Sequence, residues 1–357
     1  MSIFIIAEAG VNHNGDPENA FKLIDIAIES SASAIKFQTF RAEDLVTRFA
    51  STASYQKKSV GNKTQLDMLK NLQLDSNTQI ELSNYAKKNS IEFMTTAFDS
   101  KSLEFVMNNL HVKKLKISSG DITNIPFLVE HARHNLDIIL STGASDLNEV
   151  KEALSALAFG FISNKKDTVC RDKISEAFES EEGQNAIRNK VTLMHCTSEY
   201  PAPIEDLNLR AIRTLNQEFE TSVGYSDHST KIFIPSIAIA YGAKTIEKHF
   251  TIDKAMEGPD HSASLNPEEL TEMITMIKSA YKSLGDGKKQ PQTSEIENRE
   301  VIRKSICASK NILCGEKYTQ RNIAIRRPGN GLPPNKIWEM IGKKADRDYE
   351  EGELINE

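Results

Sequence analysis

IFIIAEAG at residues 3–10 sets the pattern on which the fold turns: a short apolar, β-branched run that ends in a glutamate and a glycine. The same pattern recurs as AIKFQTF (34–40), IEFMTTAF (91–98), KLKISSG (114–120), DIILSTG (137–143), VTLMHCT (191–197), TSVGYSDHS (221–229) and TIEKHFT (245–251). Helical patterns usually fill the gaps. Eight strand–helix units are the count of a closed (β/α)8 TIM barrel, an α/β fold whose active site gathers at the C-terminal ends of its strands. Those ends carry Glu8, Lys36, Gln38, Thr96, Lys116, Ser119, Ser141, His228 and His249.

Start signals mark the helices between the runs. Asp16-Pro17 is a cap followed by a first-turn proline, which predicts a helix over 17–30. Ser145, with a glutamate four positions on, is an approximate start for a helix over 148–159, and Asn266 opens a last barrel helix over 267–284. Two spans exceed ordinary connections. Residues 41–75 follow the second run on the catalytic side, where long loops tend to close over substrates. Residues 163–190, charged and acidic, precede the sixth run and so belong to the opposite, N-terminal face, with no catalytic role expected.

At 357 residues the chain outgrows a single core, so two domains are expected. The reading is a barrel over 1–284, a Gly- and Pro-broken linker over 285–300 and a small module over 301–357 with strand-like SICASK and NIAIRR and the turn RPGNG. A hydrophobic content of 39% and a charged content of 26% are globular values. A net charge of −6 argues against nucleic acid or an anionic membrane as the main partner. No run reaches the roughly 18 apolar residues of a spanning helix, and the early apolar run is too short for a signal peptide. Four cysteines without CxxC spacing read as free thiols in a reducing compartment, hence a cytoplasmic protein.

The strand-end residues suggest their own chemistry. Ser226 and His228 share one strand face, Glu247 and His249 another, and neighbouring barrel strands bring their ends together. Two imidazoles with few carboxylates suit a divalent ion such as Mn²⁺ whose other positions go to water and substrate; two unrelated polar histidines are the plainer alternative. Lys36 and Lys116 sit in strands of isoleucine and phenylalanine, where a charge is costly unless used or paired. With Ser119, Ser141 and a glycine-terminated turn they suit a phosphate or carboxylate. The alternative is structural pairing with Glu8 and Asp121. Glu8 is a candidate general base, and Asp260 a second carboxylate on the loop after the eighth run. A substrate contact by His13, in the turn after the first run, is left open.

Taken in order, IIAEAGVNHNG, IKFQTF, ISSGDITN, ILSTG, HCTSEYPAP, GYSDHS, IEKHFT, GPDHSAS and RPGNG closely resemble the bacterial sialic acid synthase family over essentially the whole chain. The resemblance implies a barrel followed by an antifreeze-like domain of β-clip type, in a domain-swapped homodimer. It implies condensation of phosphoenolpyruvate with an open-chain N-acetylated amino sugar, usually N-acetylmannosamine, giving N-acetylneuraminate and phosphate with Mn²⁺ or Mg²⁺. By motif position His228 and His249 resemble the metal ligands and Glu8 the acid/base. Lys36, Thr96, Lys116, Ser119, Ser141 and Ser226 match phosphoenolpyruvate holders. Gln38, Asp121, Tyr200 and Asp260 match sugar holders, and Arg327 matches the arginine that reaches in from the second subunit. Asp121 stands where glutamate is more usual, Ser198 where asparagine often follows HCT, and 163–190 is not a family feature. A legionaminic acid synthase, acting on 2,4-diacetamido-2,4,6-trideoxymannose, is the alternative within the family, with a pseudaminic acid synthase behind it. Outside it stand another phosphoenolpyruvate-condensing barrel or aldolase, and a sugar-binding module on an inactive barrel.

Overall fold

Eight parallel strands close on one another in chain order: β1 (Phe4–Gly10), β2 (Ala34–Thr39), β3 (Glu92–Ala97), β4 (Lys114–Ile117), β5 (Asp137–Ser141), β6 (Val191–Cys196), β7 (Ser222–Asp227) and β8 (Thr245–His249). The computed structural model describes residues 3–47, 64–110 and 112–356. The eight-stranded barrel read from the sequence is the barrel observed. By contact the chain divides into two compact units, Met1–Gly285 and Asp286–Glu357.

Strand register decides what faces the barrel axis. Glu8 pairs with Lys36 on one side and His249 on the other, and Ser226 pairs with both Cys196 and Glu247. Because side chains alternate along a strand, residues two apart share a face. Ile6, Ala34, Met94, Ile139 and Met194 therefore pack together as a dry interior cluster, one step below the polar residues of the same strands. Their outward neighbours, such as Ile5, Ile35 and Leu140, join the large core shared with the surrounding helices. Each inward face turns from apolar to polar or ionisable as it nears the C-terminal end.

The helices of this unit are α1 (Pro17–Glu29), α2 (Ala42–Leu45), α3 (Gln65–Leu72), α4 (Ser76–Lys88), α5 (Ser100–Phe105), α6 (Ile125–Ala132), α7 (Leu147–Ile162), α8 (Arg171–Glu179), α9 (Glu181–Lys190), α10 (Ala211–Phe219), α11 (Ile234–Ala240) and α12 (Pro267–Leu284). Asp16 caps α1 by accepting from the Glu18 amide, as its position before Pro17 predicts. Asn266 and Glu269 form a reciprocal capping box on α12. The start of α7 differs from the sequence reading: Asp146, not Ser145, is the cap, because only Asp146 stands three residues before Glu149 and completes that box.

Residues 163–190 do not remain a loop at the N-terminal rim. They fold α8 and α9 against the outer side of α7, burying Ala177 and Ile187 in the shared core. Lys190 then donates to the Asn135 carbonyl at 3.0 Å, which brings the chain back to the foot of β6. In the second unit β9 (Ser305–Ala308) and β10 (Ile323–Arg326) pair antiparallel. They enclose a small core of their own that includes Ile306, Ile312, Tyr318, Tyr349 and Ile355. The span read as a linker carries helical turns at Thr293–Glu295 and α13 (Ile296–Ile302). Among the described residues no helix is long and apolar enough to cross a membrane.

The seam between α6 and α7 depends on Gly160. A Cβ there would lie 2.5 Å from the Ala132 Cβ and 2.8 Å from the Val129 carbonyl oxygen. Gly160→Ala is expected to destabilise the barrel by about 1–3 kcal/mol through overpacking, read as a lowered denaturation midpoint, while ligand affinities stay at wild-type values.

Candidate active site

A cavity of about 450 Å³ opens over the C-terminal strand ends, and Glu8, Lys36, Gln38, Thr96, Lys116, Ser119, Ser141, Tyr200, Ser226, His228, His249 and Asp260 all line it. Residues drawn from many separate stretches of sequence thus converge on one space. Asp121 does not line it. The turn Ser119–Asp121 folds its carboxylate back to accept from the Ser118 hydroxyl at 2.7 Å, so that Ser118, and not Asp121, reaches the wall. Arg327 lies in the second unit, where its Nε donates to the Ile302 carbonyl.

At the floor four buried charges meet. The Lys36 ammonium stands 2.8 Å from Glu8 Oε2 and 3.8 Å from Glu247 Oε2, and Lys116 stands 3.8 Å from Glu247 Oε1. Of the structural pairings weighed as the alternative to anion binding, that of Lys36 with Glu8 is present, whereas Lys116 meets Glu247 and Ser141 instead of Asp121. Burial drives the Glu8 carboxyl up, more strongly than Lys36 pulls it down. Burial also acts to raise Glu247, but Lys116 and Lys36 outweigh it and hold that carboxyl below its usual range. For Lys36 burial is outweighed by Glu247 and Glu8, so its charge is reinforced, while burial prevails at Lys116 and lowers it. Hydroxyls complete this end. Lys36 donates to Thr96 Oγ1 at 3.2 Å, Lys116 to Ser141 Oγ at 2.7 Å, and Ser226 to Glu247 Oε1 at 3.0 Å.

Behind the wall, Ser119 and Cys196 converge on Gly143. Its amide donates to Ser119 Oγ at 3.0 Å, and a Cβ there would come within 2.9 Å of both Ser119 Oγ and Cys196 Sγ. Only glycine leaves room for these groups to converge with a ligand.

His228 and His249 face each other with ring centroids 5.7 Å apart, and Tyr200 stacks on His228 at 4.2 Å. Burial pushes His228 down to about 4 and His249 well below the usual histidine range, so both stay neutral, the form that ligates metals. The Thr197 carbonyl, 2.6 Å from His228 Nδ1, can only accept, which puts the proton on Nδ1 and leaves the Nε2 lone pair to accept from Tyr200 Oη at 3.2 Å, since the Ser226 hydroxyl gives its proton to Glu247. His249 Nδ1 is buried without a hydrogen-bond partner and stands 4.0 Å from Asp260 Oδ2. An orphaned imidazole nitrogen facing a second neutral imidazole fits a divalent cation. Among the described residues no third histidine, cysteine or carboxylate completes a protein cage, so water and substrate oxygens would fill the remaining positions. Burial alone raises Asp260 to about 6.

The loop bearing Asp260 is pinned to the turn after β1. Asn14 accepts from His261 Nε2 at 3.1 Å and donates to the Glu257 carbonyl, and Asn12 donates to the Phe250 carbonyl and Ser264 Oγ. His13 is absorbed by this turn, its Nδ1 accepting from the Gly15 amide at 2.9 Å, and it does not line the cavity. Leu45, Val46, Met68, Leu69 and Leu72 supply an apolar wall from the 41–75 span, of which residues 48–63 lie outside the described residues.

Glu247 was not assigned a role by sequence reasoning. The available signal was its parity with His249, two residues on, which commits both side chains to the barrel interior. Cys196 and Ser198 line the cavity as well, the latter at the position where the HCT motif is often followed by asparagine.

Comparison with known proteins gives a consistent result. Residues 23–289 match the NeuB family. The chain is 44% identical to N,N'-diacetyllegionaminic acid synthase of Campylobacter jejuni, covering 99% of this chain and 98% of that one. It is 41% identical to the enzyme of the same name from Legionella pneumophila, covering 99% and 94%. The crystal structure of N-acetylneuraminic acid synthetase from Leptospira borgpetersenii superposes with a TM-score of 0.67 at 34% identity, covering 84% of this chain and 90% of that one. On the strength of the matched residues and of these near full-length likenesses, the chain belongs to the NeuB family.

Proposed function

We propose that this protein joins phosphoenolpyruvate to an N-acetylated, mannose-type amino sugar with addition of water, releasing phosphate and a nine-carbon 2-keto acid of the sialic acid class. The observation that carries this reading is one cavity holding two buried lysines, a buried carboxyl of raised pKa and two neutral imidazoles. Lys36 and Lys116, with Thr96, Ser119, Ser141 and Ser226, would bind the phosphate and carboxylate of phosphoenolpyruvate. His228 and His249 would hold a divalent cation, Mn²⁺ or Mg²⁺, which when bound would polarise the sugar aldehyde as a Lewis acid.

C3 of phosphoenolpyruvate then forms a bond to the aldehyde carbon, and water adds at C2. The C2–O bond to phosphate breaks as the tetrahedral centre collapses to the ketone. Glu8, pushed toward neutrality by burial, is the group suited to exchange the protons of these steps. Holding both substrates in one water-poor cavity supplies the orientation that makes the encounter productive.

For the sugar, the resemblance alone pointed first to N-acetylmannosamine. Two observations favour 2,4-diacetamido-2,4,6-trideoxymannose instead. The relatives at 44% and 41% identity are N,N'-diacetyllegionaminic acid synthases. The wall of Leu45, Val46, Met68, Leu69 and Leu72 suits a sugar with a methyl group at C6 and a second acetamido methyl. Gln38, Tyr200 and Asp260 would supply the polar contacts. We read the second unit as the antifreeze-like domain of a homodimer, with Arg327 of one copy reaching the sugar in the other. Four unpaired cysteines suit the reducing cytoplasm in which such a synthase would work.

Incubation with phosphoenolpyruvate, Mn²⁺ and each candidate sugar should release phosphate fastest with the diacetamido trideoxy sugar and give a product of matching mass. No phosphate release with any of these sugars would refute the synthase reading. His228→Ala is expected to abolish metal-dependent turnover with the circular dichroism spectrum unchanged, and wild-type activity in EDTA would dismiss the cation. Arg327→Ala should raise KM for the sugar about 10- to 100-fold, as for a lost charged hydrogen bond, and leave KM for phosphoenolpyruvate near wild type. An equal rise in both would remove Arg327 from the sugar.

A further inference from the structure

We infer that Asp227 and Lys248 are positioning residues that set the placement of the two imidazoles from behind, an inference that rests on the reading of His228 and His249 as cation ligands. Each immediately precedes one of those histidines, and the two are direct register partners across β7 and β8. Ser226 and Glu247 line the cavity on one side of them and His228 and His249 on the other. By strand alternation, Asp227 and Lys248 must therefore project away from it. Their side chains are fully buried and 2.6 Å apart.

The pair does more than neutralise itself. Asp227 Oδ1 accepts from the Ser229 amide at 3.0 Å and from the Tyr225 hydroxyl at 3.2 Å, and Oδ2 accepts from Lys248 Nζ and Ser229 Oγ. Lys248 Nζ also donates to the Ser229 carbonyl. One carboxylate thus holds the backbone amide just after His228 together with the side chains of Tyr225 and Ser229 on either side of it, and one ammonium ties that grip to the strand that carries His249. A buried ion pair is a weak source of stability, since well-packed apolar residues of similar volume often serve as well or better. What apolar residues do not reproduce is the fixed direction of the four bonds that converge on Asp227. Two ligands from separate strands must meet one ion at bond lengths near 2 Å, and outer partners of metal ligands commonly change affinity 10- to 100-fold when removed.

Mn²⁺ titration by calorimetry, without substrates, tests this on the full-length protein. Asp227→Asn and the paired replacement Asp227→Leu with Lys248→Met are compared with wild type, each with a thermal melt. The paired variant should keep a wild-type melting temperature and bind Mn²⁺ about 10- to 100-fold more weakly. Asp227→Asn should weaken binding in the same direction. Gly160→Ala, destabilised but remote, should bind as wild type does. Wild-type Mn²⁺ affinity in either folded Asp227 variant overturns the inference, as does failure of both to fold, which would make the pair a stability element. If wild type itself takes up no Mn²⁺, or His249→Ala binds it equally well, the cation reading fails first and this inference with it.

Discussion

Lys36 is the hinge of the site's electrostatics. Its ammonium lies between Glu8 and Glu247, and without it two carboxylates would face each other in a space from which water is largely excluded. Two like charges so placed cannot share one ionisation behaviour, and the surroundings drive them apart. Glu247 has both lysines and the Ser226 hydroxyl and is held below its usual range, whereas at Glu8 burial outweighs the pull of Lys36 and the weaker one of Lys116. When Glu8 takes up a proton, Lys36 and Lys116 face one carboxylate, and the floor gains the positive charge that suits an anionic substrate. The rest of the architecture makes this arrangement tolerable. An apolar cluster from Ile6 to Met194 fills the barrel below, and the large outer core supplies the burial energy that four desolvated charges consume.

The rim is organised by a different principle. There the chain must hold loops, not strands, and it does so with neutral hydrogen bonds. Asn12 and Asn14 in the turn after β1 clasp the segment after β8, so the first and last strands of the barrel are joined at their tops as well as along their edges. Thr251 and Asn14 hold the two ring nitrogens of His261, one residue after Asp260. Asp260 therefore stands beside His249 on a braced loop, with no lysine or arginine paired to it among the described residues and a carboxyl raised to about 6.

The sequence was most legible where geometry leaves no choice. Strand alternation assigns Glu8, Lys36, Lys116, Ser226 and His249 to the interior once a closed barrel is granted, and all of them line the cavity. The same parity commits Glu247 inward, yet in TIEKHFT it reads as an ordinary charged residue beside a lysine, and its role appears only when two lysines from distant strands arrive beside it. Asp121 misled for the opposite reason. Beyond a strand end, parity no longer applies, and a single turn from Ser119 to Asp121 was enough to aim its carboxylate back at Ser118. For residues 163–190 the sequence reading went no further than the N-terminal face and no catalytic role, and Ala177 and Ile187 give α8 and α9 just enough apolar surface to settle on α7.

On the proposed reading, substrate choice within the family becomes a question about the rim, since the floor would meet only phosphoenolpyruvate and the reacting carbons. A methyl group received by the wall of Leu45, Met68, Leu69 and Leu72 gains about 1–3 kcal/mol over no group at all. That sets a ceiling of roughly 200-fold in preference from apolar contact alone. Rejection of a hydroxyl at the same carbon is of similar size. A sugar that keeps its 6-hydroxyl would turn a donor and acceptor toward side chains that offer neither, at a cost of about 1–3 kcal/mol for the unmade hydrogen bonds. The two effects act on the same carbon and reinforce each other. On the proposed reading, an apolar wall at this point would favour a 6-deoxy sugar as much by what it denies the hydroxyl as by what it gives the methyl.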